Sequence, residues 1–321
     1  MAVITAVKSG NWSDPTVWSS NPVMPGVGDT VRPGAFVVVI DQDTNVVALE
    51  GSAGQAGYFR VNAAGLTIDA DITVGGSTAG SEGFVRSYVA AGGLLTIIGN
   101  LIGATATLNG RAVRLHGAGG VTITGNIIGG GAGAAGGLYV LVAGDQILVT
   151  GNITGGSSSS AYGAFFYART VRIEGDVTGN LAEGVYLNAG YLTVVGNVLA
   201  SVTKTGILVA AKSAINVQVR VTGNVTAVDN AAPFAALNGQ SGIVFVYGGV
   251  AVVSGQLIDS LGGLVAVAGT VFRDIAYPQS YIDLPYIDLA TEALSKLRYR
   301  VGSVSVVAAT FGTDYIAAIT D

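Results

Sequence analysis

A short hydrophobic run that closes on Gly-Asn or Gly-Asp recurs along this chain, and no other feature constrains the fold as strongly. The copies are Leu95-Thr-Ile-Ile-Gly99-Asn100, Val121-Thr-Ile-Thr-Gly125-Asn126, Ile147-Leu-Val-Thr-Gly151-Asn152, Val171-Arg-Ile-Glu-Gly175-Asp176, Leu192-Thr-Val-Val-Gly196-Asn197 and Val219-Arg-Val-Thr-Gly223-Asn224. Their last residues are spaced by 26, 26, 24, 21 and 27. Leu66-Thr-Ile-Asp-Ala70-Asp71 and Val250-Ala-Val-Val-Ser-Gly255-Gln256 read as degraded copies on either side. A second element precedes each run, opening on Gly and continuing into apolar residues, as in Gly57-Tyr-Phe-Arg-Val, Gly137-Leu-Tyr-Val-Leu, Gly163-Ala-Phe-Phe-Tyr and Gly184-Val-Tyr-Leu-Asn.

Units this short, made of β-branched strands and glycine turns, cannot bury an apolar face alone and must stack on their neighbours. Leucine-rich repeats share the period but require regularly spaced Leu, and helical pairs have few glycines, whereas this chain has 49. The pattern therefore predicts an all-β fold, a right-handed parallel β-helix of about nine coils over residues 37–276. Asn and Gly tolerate the left-handed backbone of a tight corner, and stacked Asn amides can bond as a ladder. Asn100, Asn126, Asn152, Asn197 and Asn224, with Asp176 as the variant, are expected to form it. The long gap between the opening glycines Gly206 and Gly242 predicts an insertion around Ala227 to Gln240, with Pro233-Phe234 looping out of the stack.

Composition narrows the class. With 50% hydrophobic and 11% charged residues the chain is too apolar for disorder. The uncharged stretch Asn230 to Ile258 is long enough to span a bilayer, but Pro233, Asn238, Gln240 and five glycines interrupt it, so no membrane span is expected. Met1 to Lys8 has no basic region ahead of its apolar residues and does not read as a secretory leader. The absence of Cys removes disulfides and thiolate metal sites. A net charge of −5 argues against a nucleic-acid partner, which needs clustered Lys and Arg.

Both ends depart from the repeat. Residues 1–36 read as an N-terminal cap, with Trp12 and Trp18 suited to a lid over the first coil. In residues 277–321, Asp288 can cap a helix over Leu289 to Tyr299, with Leu289, Ala293, Leu294 and Leu297 on one face and Glu292 and Lys296 as an i,i+4 pair. Val301 to Ile319 then reads as strands, which makes a small α+β element serving as cap or assembly module.

The opening Ser9-Gly-Asn-Trp-Ser-Asp-Pro-Thr-Val-Trp18, then Met24-Pro-Gly-Val-Gly-Asp-Thr-Val31 and Val37-Val-Val-Ile40, resembles the start of β-helix proteins among phage virion components and bacterial surface proteins. Together with the Gly-Asn coils it resembles the pectate-lyase-like superfamily, which includes polysaccharide lyases, hydrolases, tailspikes and inert fibres. The resemblance implies a structural, non-enzymatic component of a phage-like virion, such as a tail fibre, spike or capsid-surface protein. The alternatives it leaves are a host-glycan receptor-binding protein and a polysaccharide lyase or hydrolase. The expected location is the virion or a cell surface. The expected partners are other virion proteins or copies of this chain through residues 277–321, and cell-surface polysaccharide.

Lyases and hydrolases on this fold need carboxylates converging on one strand face. The local concentration is Glu174, Asp176 and Glu183, with Arg169 and Arg172 nearby. Asp176 sits at the ladder position, and Glu174 with Arg172 reads as a solvated pair, so no catalytic role is assigned. His116, the sole His, lies in a turn with no ligand partners visible, so neither a metal nor a cofactor is expected. The glycine runs Gly119-Gly120 and Gly129-Gly130-Gly131 precede no helix and lack a Lys, which excludes a phosphate loop.

Two outward columns remain. Arg60, Arg86 and Arg114 recur in successive units, and Tyr139, Phe165 and Tyr186 recur in the next ones, with Tyr167 beside them. If Leu138, Val140, Ala164, Phe166, Val185 and Leu187 point inward, these aromatics point out. Such a stripe suits sugar stacking or a protein interface.

Overall fold

A strand of three to five β-branched residues between glycine corners has no local partner, so each pairs with its equivalent one turn away. The computed structural model describes residues 2–52, 54–63, 65–74, 84–87, 93–104, 110–116, 120–131, 136–140, 146–201, 204, 206–209, 218–226, 234–235, 243–245, 249–253, 257–258, 264–266, 270–275, 281–288 and 293–300. Through them run three parallel ladders of strands. The first passes from Gly10–Asn11 and Val37–Ile40 through Tyr58–Val61, Val85–Ser87, Val113–Leu115 and Leu138–Val140 to Ile207–Val209 and Ile243–Phe245. The second takes in Leu94–Ile98, Gly120–Thr124, Gln146–Thr150, Gln218–Val221 and Gly249–Val253. The third begins at Val3–Thr5 and Thr30–Arg32 and continues through Thr44–Glu50, Leu66–Thr73, Leu101–Ile102, Ile127–Ile128, Ile153–Thr154, Val177–Thr178, Val198–Leu199 and Val225–Thr226 to Leu257–Ile258. Two long strands, Ala164–Glu174 and Val185–Val195, turn the corner between the first and second ladders without a break.

The molecule is a parallel β-solenoid. About seven turns, from the one opening on Tyr58–Val61 to the one closing on Val225–Thr226, have parallel neighbours on both sides in all three ladders. The count of about nine expected from sequence also takes in the units that open at Gly242 and Gly263; the turn at Ile243 abuts the irregular end, and Leu264–Ala266 pairs antiparallel instead of adding a coil.

Alternation along each strand sends one side chain in two to the core. Ile97, Ile123, Val149, Ile173, Val194 and Val221 stand in register over successive turns, each with 0% of its surface exposed. Burying each such side chain is worth about 1.5–3 kcal/mol, so the stack of inward columns is what holds the rungs together. From Gly99 to Gly223 these corners are glycine because the rungs are too close for anything larger. A Cβ on Gly125, whose φ is +149°, would stand 2.1 Å from the carbonyl oxygen of Gly99.

At the N-terminus, Val3–Thr5 and Gly10–Asn11 already pair in parallel with later rungs. Trp12 and Trp18 are buried, pack edge to face at 4.9 Å, and Trp12 continues onto Phe59 at 6.1 Å. The indole Nε1 of Trp18 donates to the carbonyl of Trp12 at 3.0 Å, which satisfies its polar atom inside the core.

At the other end the pairing reverses. Leu264–Ala266 and Thr270–Ile275 lie antiparallel to Leu257–Ile258 and Gly249–Val253, and Tyr281–Asp288 pairs antiparallel with Ala293–Arg300. The helix expected over Leu289 to Tyr299 is therefore not formed: Ala293–Arg300 is a strand, while Leu289 and Glu292 fall outside the described residues. Lys296, Arg298 and Arg300 alternate with Leu297 and Tyr299, a period of two that competes with the helical one and pairs with the neighbouring strand. Phe234 does not loop out of the stack either. Phe234–Ala235 pairs in parallel with Ile243–Phe245, while Pro233 and the rest of the insertion lie outside the described residues, as does Val301 to Ile319.

Among the described residues the one helical segment is the short 3₁₀ turn Pro15–Val17, and no helix is long and apolar enough to cross a membrane.

Candidate functional site

The outer side of the first ladder carries one continuous column. Arg60, Arg86, Arg114, Tyr139, Phe165, Tyr186 and Leu208 are successive register neighbours, so the arginine and aromatic columns are a single line along the axis. The inward residues that flank the aromatics, Leu138, Val140, Ala164, Phe166, Val185 and Leu187, are all buried, which fixes the opposite side as outward. Rungs one strand spacing apart bring planar groups to stacking distance. Tyr139 lies on Phe165 at 4.4 Å and Phe165 on Tyr186 at 5.0 Å, both tilted by only 17°. Tyr162 leans against Tyr186 at 4.9 Å.

Guanidinium groups close the column where the rings begin. Arg111 sits over the free face of Tyr139 at 3.5 Å, Arg114 is 5.9 Å from the same ring, and Arg86 covers Tyr58 at 3.6 Å. The Arg111 stem passes beside Gly136, where a Cβ would lie in ordinary contact with it at 3.9 Å but tight against the Tyr162 carbonyl oxygen at 3.2 Å. Burial pulls the Arg111 guanidinium below its usual pKa; Tyr139 opposes the shift and Arg114 adds to it. Arg60 donates through Nε to Asn62 Oδ1 at 2.8 Å.

Tyr167 stands apart. It is 41% exposed, its register neighbour is Ala189, and the strand slips at this point, so it does not continue the stack.

The three carboxylates do not converge. Glu174 is on the second ladder, where Oε1 accepts from Arg172 Nε at 2.8 Å. Asp176 is at the corner, accepting on Oδ1 from the Asn197 backbone N–H at 2.7 Å and from its side-chain Nδ2 at 3.0 Å. Glu183 lies in the turn before the first ladder, 4% exposed, with Lys204 Nζ at 3.0 Å from Oε1 and with Oε2 buried without a hydrogen-bond partner. Burial, and Glu183 after it, push the Tyr162 phenol up to about 12.

The corner column is joined throughout. Asn100 Oδ1 accepts from Asn126 N–H, Asn126 Oδ1 from Asn152, Asn152 Oδ1 from Asp176, Asp176 Oδ1 from Asn197 and Asn197 Oδ1 from Asn224, at 2.7–3.0 Å. Asp71 extends the ladder one rung further, taking the Asn100 N–H at 2.7 Å. In the sequence Asp71 belongs to a degraded copy of the repeat, and its alignment with the ladder positions is the signal that marks it. His116 is half-buried just beyond Val113–Leu115.

These features define a parallel β-solenoid with a self-stacked cation–aromatic column on one side and an amide ladder on one corner. Comparison with protein families, curated proteins and solved structures finds no match.

Proposed function

We propose that the chain is a structural, non-enzymatic component of a phage-like virion, a tail fibre, spike or capsid-surface protein. The observation that supports this reading is that the outward column satisfies itself. A glycan receptor offers open ring faces to sugars. Here Phe165 has Tyr139 on one face and Tyr186 on the other, and Arg111 covers Tyr139. Stacking along the axis stiffens the rod rather than presenting a platform. The carboxylates support the same reading: Glu174 pairs with Arg172, Asp176 bonds within the ladder and Glu183 pairs with Lys204, each in a different part of the turn.

The test has two arms. Antibody raised against the purified protein should label intact particles in electron micrographs, and the protein should release no reducing ends from a panel of cell-surface polysaccharides. Cleavage that Glu174→Gln abolishes overturns the proposal in favour of an enzyme. Polysaccharide binding that both Tyr139→Ala and Tyr186→Ala weaken, in variants that keep the fold, overturns it in favour of a receptor-binding protein.

A further inference from the structure

Ion pairs among the described residues join Lys8 to Asp14, Arg32 to Glu50, Arg172 to Glu174 and Lys204 to Glu183. In the first three the carboxylate side chain is 34–42% exposed, whereas Glu183 is buried. Two of those three use a guanidinium, which stays protonated and does not act as a nucleophile, and Lys8 is itself exposed. Of these pairs, Lys204 with Glu183 alone sets an amine against a buried carboxylate. Nζ stands 3.0 Å from Oε1, within reach of the Cδ that carries this oxygen. The other oxygen, Oε2, is buried and accepts no hydrogen bond from the protein, so no donor holds its share of the charge. Tyr162 leans on Tyr186 beside this turn, and burial is the first cause of its raised pKa with Glu183 the second, which marks the turn as poorly solvated.

We propose that Lys204 and Glu183 are joined by an isopeptide bond. Burial raises the cost of keeping both partners charged, and passing one proton from Nζ to the carboxylate neutralises the pair. The neutral amine then meets Cδ already in place, so no bimolecular encounter is needed. The Nζ–Cδ bond forms, the Cδ–Oε2 bond breaks with its electron pair on oxygen, and two of the three ammonium protons leave with Oε2 as water. An ammonium and a carboxylate thus give a neutral amide, and the step needs no co-reactant. Glu183 lies in the turn before Val185–Val195 and Lys204 in the turn before Ile207–Val209, two strands that pair in parallel. The bond therefore staples successive rungs, in a chain that has no Cys for a disulfide. Condensation removes the Glu183 charge and leaves burial, the larger cause, to hold the Tyr162 proton. The proposal holds whatever assembly the solenoid belongs to.

Mass spectrometry of the intact full chain should give a mass one water below that of the sequence. Trypsin should leave the bond after Lys204 uncut, because its amine is acylated, and release residues 173–212 as one peptide that is lighter by one water. Fragmentation of that peptide should release no backbone ions from inside the ring 183–204. Lys204→Arg keeps the positive charge without a nucleophile, so its mass should equal the sequence mass and its melting temperature should fall. A wild-type chain that keeps the full sequence mass after prolonged incubation in the folded state overturns the proposal and leaves an ordinary ion pair. A deficit of one water that persists in Lys204→Arg, or that maps outside 173–212, overturns it as well. The tryptic map of the wild type decides even where the variant does not fold, and neither result touches the particle and polysaccharide tests.

Discussion

The backbone N–H of Asn126 donates to the side-chain Oδ1 of Asn100, 26 residues earlier and one rung below, at 3.0 Å. Strand pairing is interrupted at the corner, where the chain changes direction and a backbone acceptor is out of line. The side chain supplies the acceptor instead, so hydrogen bonding continues from rung to rung around the bend.

What the ladder requires is therefore an oxygen at Cγ, not an amide as such, since Asp71 and Asp176 serve as acceptors equally well. Asn126→Leu removes the acceptor of the Asn152 N–H at an exposed position that water partly repairs, and should cost about 1 kcal/mol. Asn126→Asp keeps the acceptor and gives up only the exposed Nδ2 donation to Asn100 Oδ1 at 3.2 Å, so its cost should be about half that of Leu, about 0.5 kcal/mol. Urea denaturation of the two variants decides the matter; equal losses would mean that the side-chain oxygen is not what the corner needs.

The glycine before each ladder residue makes a separate prediction. In Gly125→Ala the new Cβ meets the Gly99 carbonyl oxygen at 2.1 Å, and that oxygen belongs to backbone clamped between rungs. Strain and overpacking together should cost about 2–4 kcal/mol. Gly65, at φ +77° with nothing within 4 Å of the place a methyl group would take, isolates the conformational part. Gly65→Ala should cost only about 1–2 kcal/mol. A melt series in which both variants lose the same stability would remove the close approach as the reason for the corner glycines.

Much of this was legible because one cause acts at every turn. From Gly99 onward a corner that admits only Gly, followed by a residue that must accept a hydrogen bond, leaves Gly-Asn or Gly-Asp in each unit, and the period follows from them. Asp71 was harder to assign because Ala70 replaces the glycine before it. The Arg111–Tyr139 contact left no local pattern at all, since it joins a turn to a strand in the next rung. The C-terminal hairpin was misread because Ala293 to Arg300 satisfies a helical and an alternating pattern at once, and the partner strand that decides between them is remote from either pattern. The self-covered ring faces of the aromatic column were equally invisible, because outward direction is encoded in alternation but ring orientation is not.

Phe165 is the member of that column with a ring on each face. Phe165→Leu keeps an apolar side chain but loses both stacking contacts, each worth about 0.5–1.5 kcal/mol beyond burial, so a loss of about 1–3 kcal/mol is expected. Tyr139→Leu removes one ring neighbour and should cost less. Thermal melts of the two single variants and the double variant give the coupling between the rings. A coupling near zero would mean that the column is stacked by the strand spacing without contributing to stability.

Tyr162 carries the prediction that depends on pH. Its phenol is pushed up to about 12 by burial first, then by Glu183, Tyr186 and Tyr139. The unfolded chain ionises its tyrosines near the ordinary value of about 10. Between these two values the unfolded state has released the proton that the folded state still holds, so stability falls as pH rises through the window and is fully present below it. Ultraviolet titration of the folded protein should show one phenol ionising later than an ordinary tyrosine, and that late step should be missing in Tyr162→Phe. Denaturant midpoints measured from pH 9 to 12 should decline less steeply in Tyr162→Phe than in the wild type, because the variant has no proton to hold at this site. Parallel declines would show that neither burial nor Glu183 holds the proton on the Tyr162 phenol, and would place the alkaline sensitivity of the solenoid elsewhere.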